Sequence, residues 1–283
     1  MSTLIIGGNG YIGTALSQYL HADVIDIGWY GSQISLEKNI EFYDNIILLA
    51  GHSSIWMCEK DPEFSWENNV NVFKRLIHKL PKDRLLIYAS SASVYGSGND
   101  NASETDPIAS PICYYDMQKQ IIDNIASKYI KDGKRVVGLR FGTVNGISDH
   151  TRTDLMINSM VNNAINDGQI KLANVDKKRA LLFLPDLTKA FELIIDNDKS
   201  GIYNLSSINI TVGEVGQRVS DLLGVSSIID NSIQNPYSFG IDSSSFINTF
   251  GNYKNTSIDD IIVDLATNIN NVRKCRRDQI YIP

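Results

Sequence analysis

Tyr115 and Lys119 stand one helical turn apart in a stretch whose pattern predicts a helix beginning near Tyr114, so their side chains share a face. A phenol with an ordinary pKa of about 10 becomes a base near neutrality only where positive charge favours the phenolate, and a lysine one turn away supplies that charge. Tyr114 has Gln118 in the corresponding place, which leaves Tyr115 as the candidate. Two tyrosine and lysine neighbours at this spacing are common by chance, so the pair needs a context. Gly7, Gly10 and Gly13 supply one, between the apolar run Leu4-Ile5-Ile6 and the amphipathic pattern Tyr11, Ile12, Ala15, Leu16, Tyr19 and Leu20. Strand, tight turn and helix in that order bring free backbone N–H groups and the positive end of a helix to one point, which suits a pyrophosphate.

The elements that must position these residues are short apolar strands alternating with helical stretches. Residues 22–27 read as a second short strand with Asp26 near its end, and residues 45–51, 85–89 and 135–141 as further buried strands ending in Leu49-Ala50-Gly51, in Ala89 and in Phe141. The alternation predicts an α/β fold, a Rossmann-type doubly wound parallel sheet with a smaller C-terminal α/β lobe for substrate. Its crevice lies at the carboxyl ends of the strands, where Gly7 to Gly13, Asp26, Ala50, Ser91 and Phe141 to Thr143 all fall. Asp26 can accept both ribose hydroxyls of an adenosine and would repel a 2′-phosphate, which favours NAD over NADP. His52, at the same rim, reads as a loop residue and is left out of the site.

Between Pro62 and Pro81, Phe64, Val70, Phe73, Ile77 and Leu80 form one helical stripe, and residues 142–146 read as a turn. Beyond residue 150 the pattern predicts a helix over 154–165, a strand over 179–184 and a helix from Pro185 through Ile195. It continues with a strand over 202–205, a helix over 212–223 capped by Thr211 with Glu214, and a helix over 258–272. The basic run from Arg273 to Arg277 reads as that last helix's solvated end. The expected division is an NAD-binding domain over 1–150, with a return of about 180–205, and a mainly substrate-binding lobe over 151–283.

The 283 residues carry a net charge of -6, which leaves no footprint for nucleic acid or an anionic membrane. Cys58, Cys113 and Cys275 are too scattered for a disulfide framework or a zinc site, and no metal is expected. No signal peptide or membrane-spanning run can be read, so a cytoplasmic location is expected.

Taken together, these residues resemble the extended short-chain dehydrogenase/reductase family, the nucleotide-sugar epimerases and dehydratases typified by UDP-glucose 4-epimerase. Gly7-Gly8-Asn9-Gly10-Tyr11-Ile12-Gly13 resembles its Gly-x-x-Gly-x-x-Gly loop, Asn68-Asn69-Val70-Asn71 its next cofactor-side segment, and Ser90-Ser91-Ala92-Ser93-Val94-Tyr95-Gly96 its serine motif. The resemblance implies catalysis by Ser91, Tyr115 and Lys119. It implies cofactor contacts from Gly7, Gly10, Tyr11, Ile12, Gly13, Asp26, Leu49, Ala50, Gly51, Asn69, Ala89, Tyr115, Lys119 and Phe141, and substrate contacts from Ser91, Thr143 and Arg179. The implied partners are NAD, a UDP-, dTDP- or GDP-sugar, and a second copy of the chain, paired through helices near 62–80 and 115–130.

Departures from the family pattern narrow the reaction. The span from Asp26 to Ile46 is too short for the family's usual strand, helix and adenine contact. Ile6 stands where a threonine often precedes the first glycine, Phe183 where an Arg-x-x-x-His segment has its histidine, and Thr143 where galactose epimerases carry an asparagine. After Ser91, Ala92 and Ser93 replace the acid pair that dehydratases place there and the glutamate that decarboxylating relatives keep. What remains is the set for 4-epimerisation through a transient 4-keto sugar or for reduction of a 4-keto sugar. A non-catalytic regulatory protein is the third reading, opposed by the intact Ser91, Tyr115 and Lys119.

Overall fold

The computed structural model describes residues 1–26, 40–232 and 237–275. Its strands are β1 (Thr3–Ile6), β2 (Asp23–Ile25), β3 (Asn45–Leu48), β4 (Leu85–Ser91), β5 (Arg135–Phe141), β6 (Thr143–Asn145), β7 (His150–Arg152), β8 (Gln169–Leu172), β9 (Lys178–Phe183), β10 (Gly201–Leu205), β11 (Ile208–Thr211), β12 (Ser226–Ile229) and β13 (Arg273–Cys275). The helices are α1 (Tyr11–Leu20), α2 (Ile55–Lys60), α3 (Pro62–Trp66), α4 (Val72–Lys79), α5 (Tyr114–Lys131), α6 (Met156–Asp167), α7 (Leu184–Ile195), α8 (Val212–Leu223), α9 (Ser244–Phe250) and α10 (Ile258–Asn268).

Six parallel strands in the order β10-β5-β4-β3-β1-β2 make the central sheet. Apolar runs suit it because both faces are covered. Ile5, Ile47, Ile87 and Val137 point to one side, where Leu16 of α1 and Leu187, Phe191 and Ile194 of α7 close the core. Leu4, Ile6, Ile46, Leu86 and Val136 point to the other, against Phe73, Leu76 and Ile77 of α4 and Ile122 and Ala126 of α5. That alternation is the strand period of two, and each such side chain contributes roughly 1.5–3 kcal/mol on burial. The short span after Asp26 has a topological counterpart: β2 is the sheet edge among the described residues. Residues 27–39, including Ile27 at the end of the expected second strand, lie outside the described residues, as do Arg276 and Arg277 of the basic run.

The single stripe expected over 62–80 is three pieces. Asp61 caps α3 by accepting from Phe64 N–H at 3.0 Å, with Pro62 in the first turn. A wide π-helical turn, Glu67–Asn71, then leads into α4 and buries Asn69 and Val70. α2, capped by Ser54, was not foreseen.

The remaining elements build the second lobe. β11, β9 and β6 form a three-stranded sheet, so the turn expected over 142–146 is in part a strand that pairs in parallel with β9. α6, α8 and α10 pack there around Ile157, Val161, Val215, Val219, Ile261 and Leu265. Thr211 and Glu214 form the expected capping box. α10 stops at Asn268, short of the expected end, because Arg273–Cys275 leaves the helical path to pair with β7. The basic run is thus not a helix end. β10 returns to the central sheet beside β5, whereas β9 stays in the small one.

A strap, residues 237–242, stitches the two lobes. Gly98 N–H donates to the Ser238 carbonyl at 2.9 Å, Phe239 N–H to Lys178 at 3.1 Å, and Ala102 N–H to Gly240 at 3.0 Å. It thereby joins the loop that follows the serine motif to β9. Among the described residues no helix is long and apolar enough to cross a membrane.

Candidate active site

The glycine turn is tight because three backbones meet in it. Gly7 has φ +90°, and a Cβ there would lie 2.5 Å from the Ala50 nitrogen; at Gly13 it would lie 2.2 Å from the Gly7 carbonyl. Gly10 occupies the cap position of α1 with no side-chain cap, leaving first-turn N–H groups for an anion. Asp26, at the end of β2, accepts from the Asn9 side chain and, at 3.4 Å, from Asn9 N–H, so it braces the turn as well as facing its rim. Ala50 and Gly51 lie alongside, past the end of β3. An uncapped helix start, close-approach glycines and a strand-end carboxylate are together the donor and acceptor set that a dinucleotide's pyrophosphate and ribose require. The residues present fit NAD.

Other members of the predicted set act through backbone or packing. The Tyr11 hydroxyl donates to the Gly146 carbonyl at 2.9 Å. Ile12 and Leu49 pack on the core, and the Phe141 ring faces Phe191 at 6.3 Å, so Phe141 offers the crevice backbone only. Asn69 accepts from His52 N–H at 2.7 Å and donates to the His52 carbonyl at 3.1 Å and to Gln118 Oε1 at 2.7 Å. One side chain thus ties the Gly51-His52 turn to α5. Gln118 passes the link to Ser65 at 2.7 Å, and the buried Cys58 thiol, 3.6 Å from Gln118 Oε1, completes the knot.

Ser91, Tyr115 and Lys119 converge at the carboxyl end of β4. Ser91 is the last residue of that strand; its hydroxyl accepts from Ser93 N–H at 3.2 Å and donates to Ser93 Oγ at 3.0 Å. The Lys119 ammonium donates to the Ala89 carbonyl at 2.7 Å and lies 5.6 Å from the Tyr115 ring centre. Burial pushes the Tyr115 phenol up to about 12, against the Ser91 hydroxyl and the Arg152 charge, which favour phenolate. Burial also lowers the Lys119 ammonium to about 8, partly opposed by Cys58 and Asp123. Desolvation is thus the largest influence on the phenol, and Ser91 and Arg152 act against it.

Sequence reasoning missed Arg152. It is 8% exposed, held in a fork by Asp154 at 3.0 and 2.6 Å, and donates to Ser53 Oγ at 3.2 Å. Its signal was a basic residue two before an acidic one in the irregular stretch after residue 146, which is faint. Also missed was the brace beneath α5, where Arg140 of β5 donates to Asp123 at 2.9 Å and to the Tyr95 hydroxyl at 2.6 Å, while Tyr88 donates to Asp123 at 2.9 Å.

On the substrate side, Thr143 opens β6, half-buried. Arg179 in β9 is 8% exposed and donates to the backbone carbonyls of Lys178 and Tyr237. Burial alone lowers its pKa, and among the described residues no carboxylate pairs with it. A buried guanidinium served only by carbonyls is suited to an anion.

Comparison with known proteins gives the same picture. Residues 3–206 match the model of the NAD dependent epimerase/dehydratase family. ADP-L-glycero-D-manno-heptose-6-epimerase of Brachyspira hyodysenteriae is 30% identical over 160 residues, 53% of this chain and 50% of that protein, so the match spans about half the length of this relative. Among solved structures, MoeE5 in complex with UDP-glucose and NAD superposes with a TM-score of 0.83 at 18% identity, covering 96% of this chain and 99% of that one. UDP-glucuronic acid 4-epimerase from Bacillus cereus, in complex with UDP-glucuronic acid and NAD, gives 0.82 at 18% identity with 96% and 99% covered. At such identities the structural likeness is one of fold.

Proposed function

The chain belongs to the NAD dependent epimerase/dehydratase family, and from that premise we propose that it is a nucleotide-sugar epimerase acting at C4 through a transient 4-keto sugar. The observation that carries the reading is what surrounds Ser91. Ala92 is fully buried and the Ser93 hydroxyl is bonded to Ser91, so the place where a dehydratase needs an acid pair holds neither acid nor base. Oxidation and reduction at one carbon need only the groups that are present.

NAD bound along the glycine turn supplies reversible hydride acceptance, with Gly7, Gly10 and Gly13 at its pyrophosphate and Asp26 at its ribose. Tyr115 takes the proton of the sugar 4-hydroxyl and later returns it. Ser91 hydrogen-bonds the same oxygen, so the charge that develops there is met by a fixed donor. Lys119 holds the nicotinamide ribose and favours the phenolate, with Arg152 adding to the favourable field. Arg179 takes the diphosphate of the nucleotide sugar and Thr143 the sugar edge. Residues 1–150 with β10 serve the NAD, and 151–283 mainly the substrate.

A second reading is reduction of a 4-keto sugar. The phenol held near 12 favours it, because a protonated tyrosine is the form that delivers a proton to a ketone oxygen. For either reading we place the reaction in the cytoplasm, making precursors of cell-surface polysaccharide, in a homodimer. The half-buried stripe Met117, Ile121 and Ile125 on α5 supports pairing of that helix. Light scattering at the mass of a single chain would count against the dimer.

To test the function, the purified protein is inspected for tightly held NAD by absorbance and then screened against UDP-, dTDP- and GDP-sugars for epimer formation. If no sugar turns over and Tyr115→Phe behaves as wild type in every assay, the reading fails. Stoichiometric loss of absorbance at 340 nm with a 4-keto nucleotide sugar and added NADH or NADPH selects the reductase instead.

A further inference from the structure

Both walls of the cofactor crevice hold the short strand β7. Just before it, the Ser148 hydroxyl is hydrogen-bonded to Thr14 of α1 at 2.6 Å, and Asp149 accepts from Gln18 of α1 at 2.6 Å. His150 Nδ1 donates to the Asn9 carbonyl in the glycine turn. Two residues on, Arg152 Nη1 donates to Ser53 Oγ at 3.2 Å, on the rim between β3 and α2. His150 and Arg152 share one face of the strand, and two strand residues span about 6.6 Å, on the scale of a pyrophosphate group. β7 therefore reaches from the glycine turn to the β3 rim, and β13 pairs with it in parallel along its length. The Arg152 fork is not spent. Of its five N–H groups, Nε and one on Nη2 meet Asp154 at 3.0 and 2.6 Å and one on Nη1 meets Ser53, which leaves two without a partner among the described residues. The side chain is buried, so water has little access to those two. Asp154 fixes the plane of the guanidinium, and with it the direction of the remaining donors, before any ligand arrives.

We infer that Arg152 is a cofactor-binding residue, its two unspent N–H groups taking the pyrophosphate of NAD across the crevice from the first turn of α1. The inference rests on NAD lying along the glycine turn in the proposed function. The first-turn N–H groups of α1 serve the pyrophosphate from one wall. They are dipoles, whereas each phosphate carries a full negative charge, and the walls supply no cation of their own. Residues 1–37 and 39–59, which include the turn, β1, β2, β3 and its rim, contain neither lysine nor arginine. Arg152 brings that charge in from β7, and Ser53 and Asp154 keep it in place. The same donors suit any diphosphate, the nucleotide sugar's included. Their place between the glycine turn and the β3 rim, with Arg179 standing on β9 of the other sheet, assigns them to NAD.

The test is calorimetry on the full-length protein stripped of nucleotide, comparing NAD and ADP-ribose, which carry the pyrophosphate, with adenosine, which lacks it. Arg152→Gln is expected to weaken NAD and ADP-ribose by about tenfold or more, the scale of lost charge-assisted hydrogen bonds. Adenosine, measured by its competition with NAD, is expected to stay within about twofold of wild type, since it meets no part of the fork. Arg152→Lys keeps a cation beside Asp154 but not the fork, and is expected to weaken NAD and ADP-ribose by about threefold or more. It decides the question if circular dichroism shows Arg152→Gln unfolded. An unchanged NAD affinity, or an equal fall for all three ligands, overturns the inference. So does a loss confined to the binding of UDP, dTDP or GDP, which would give Arg152 to the nucleotide sugar. An unchanged NAD affinity leaves the glycine turn as the cofactor site of the proposed function, whereas a loss specific to the pyrophosphate ligands with no sugar turned over supports the inference while that function fails.

Discussion

Replacing Lys119 with methionine is expected to make the protein more stable at neutral pH while abolishing turnover. The ammonium is depressed from 10.5 to about 8 chiefly by burial, so holding it charged in the fold costs on the order of 3 kcal/mol. The hydrogen bond to the Ala89 carbonyl, at 2.7 Å, offsets about 1.5 kcal/mol of that on the scale of charge-assisted bonds. Methionine keeps an unbranched chain of similar length, and the variant should gain about 1–2 kcal/mol at pH 7. The pH dependence carries the diagnosis. A lysine whose folded pKa lies below its unfolded value leaves the unfolded chain binding more protons between those two values. Wild-type stability therefore rises relative to the variant as pH passes through 8 toward 10.5, with about 2 kcal/mol of the penalty relieved by pH 9.5. The phenol of Tyr115, raised to about 12, acts in the opposite sense only above its unfolded pKa of about 10, which keeps the window clean. Urea unfolding of both proteins, stripped of nucleotide, at pH 7 and pH 9.5 measures the difference. If the gap between them is the same at both pH values, Lys119 is not held against its hydration and the reasoning fails.

Three further outcomes are expected. Asp123→Ala leaves the Arg140 guanidinium buried without its carboxylate and should cost about 3–5 kcal/mol in urea unfolding; a loss below about 1 kcal/mol would mean the pair does not brace α5. Gly13→Ala puts a Cβ 2.2 Å from the Gly7 carbonyl, and should weaken NAD binding at least tenfold by calorimetry while costing about 1–3 kcal/mol of stability; unchanged NAD affinity would remove the turn from the cofactor site. Asn69→Ala unties His52 from Gln118 and should cost about 2 kcal/mol, with kcat falling more than nucleotide-sugar affinity; an unaltered kcat would show that the knot does not order Tyr115.

What could be read in the sequence was what is local in it. The glycine turn sits between a strand and a helix of its own, Tyr115 and Lys119 share one helix, and the capping box of Thr211 and Glu214 spans a single turn. The central sheet was legible for a related reason, since strands buried on both faces are apolar runs whatever their neighbours are. What could not be read depends on contacts between distant segments. Asn69 reaches Gln118 only because a π-helical turn rotates it inward, and a stripe of apolar residues at helical spacing conceals that turn. Arg152 arrives from a short strand held by the last described residues of the chain, and its pattern there has no periodicity to find. Tyr237 reaches Asp116 at the start of α5 because the strap crosses between lobes, which no local propensity encodes. The burial that acts on both Tyr115 and Lys119 is illegible for the same reason, since it belongs to the assembled fold.

The most direct test of the proposed chemistry is to incubate the protein with UDP-, dTDP- and GDP-sugars carrying deuterium at C4 and to follow both configuration and label by NMR. The account predicts a C4 epimer that keeps its deuterium at C4, with Tyr115→Phe giving no measurable conversion. Deuterium exchanged into solvent during epimerisation, or conversion at the wild-type rate by Tyr115→Phe, would contradict it.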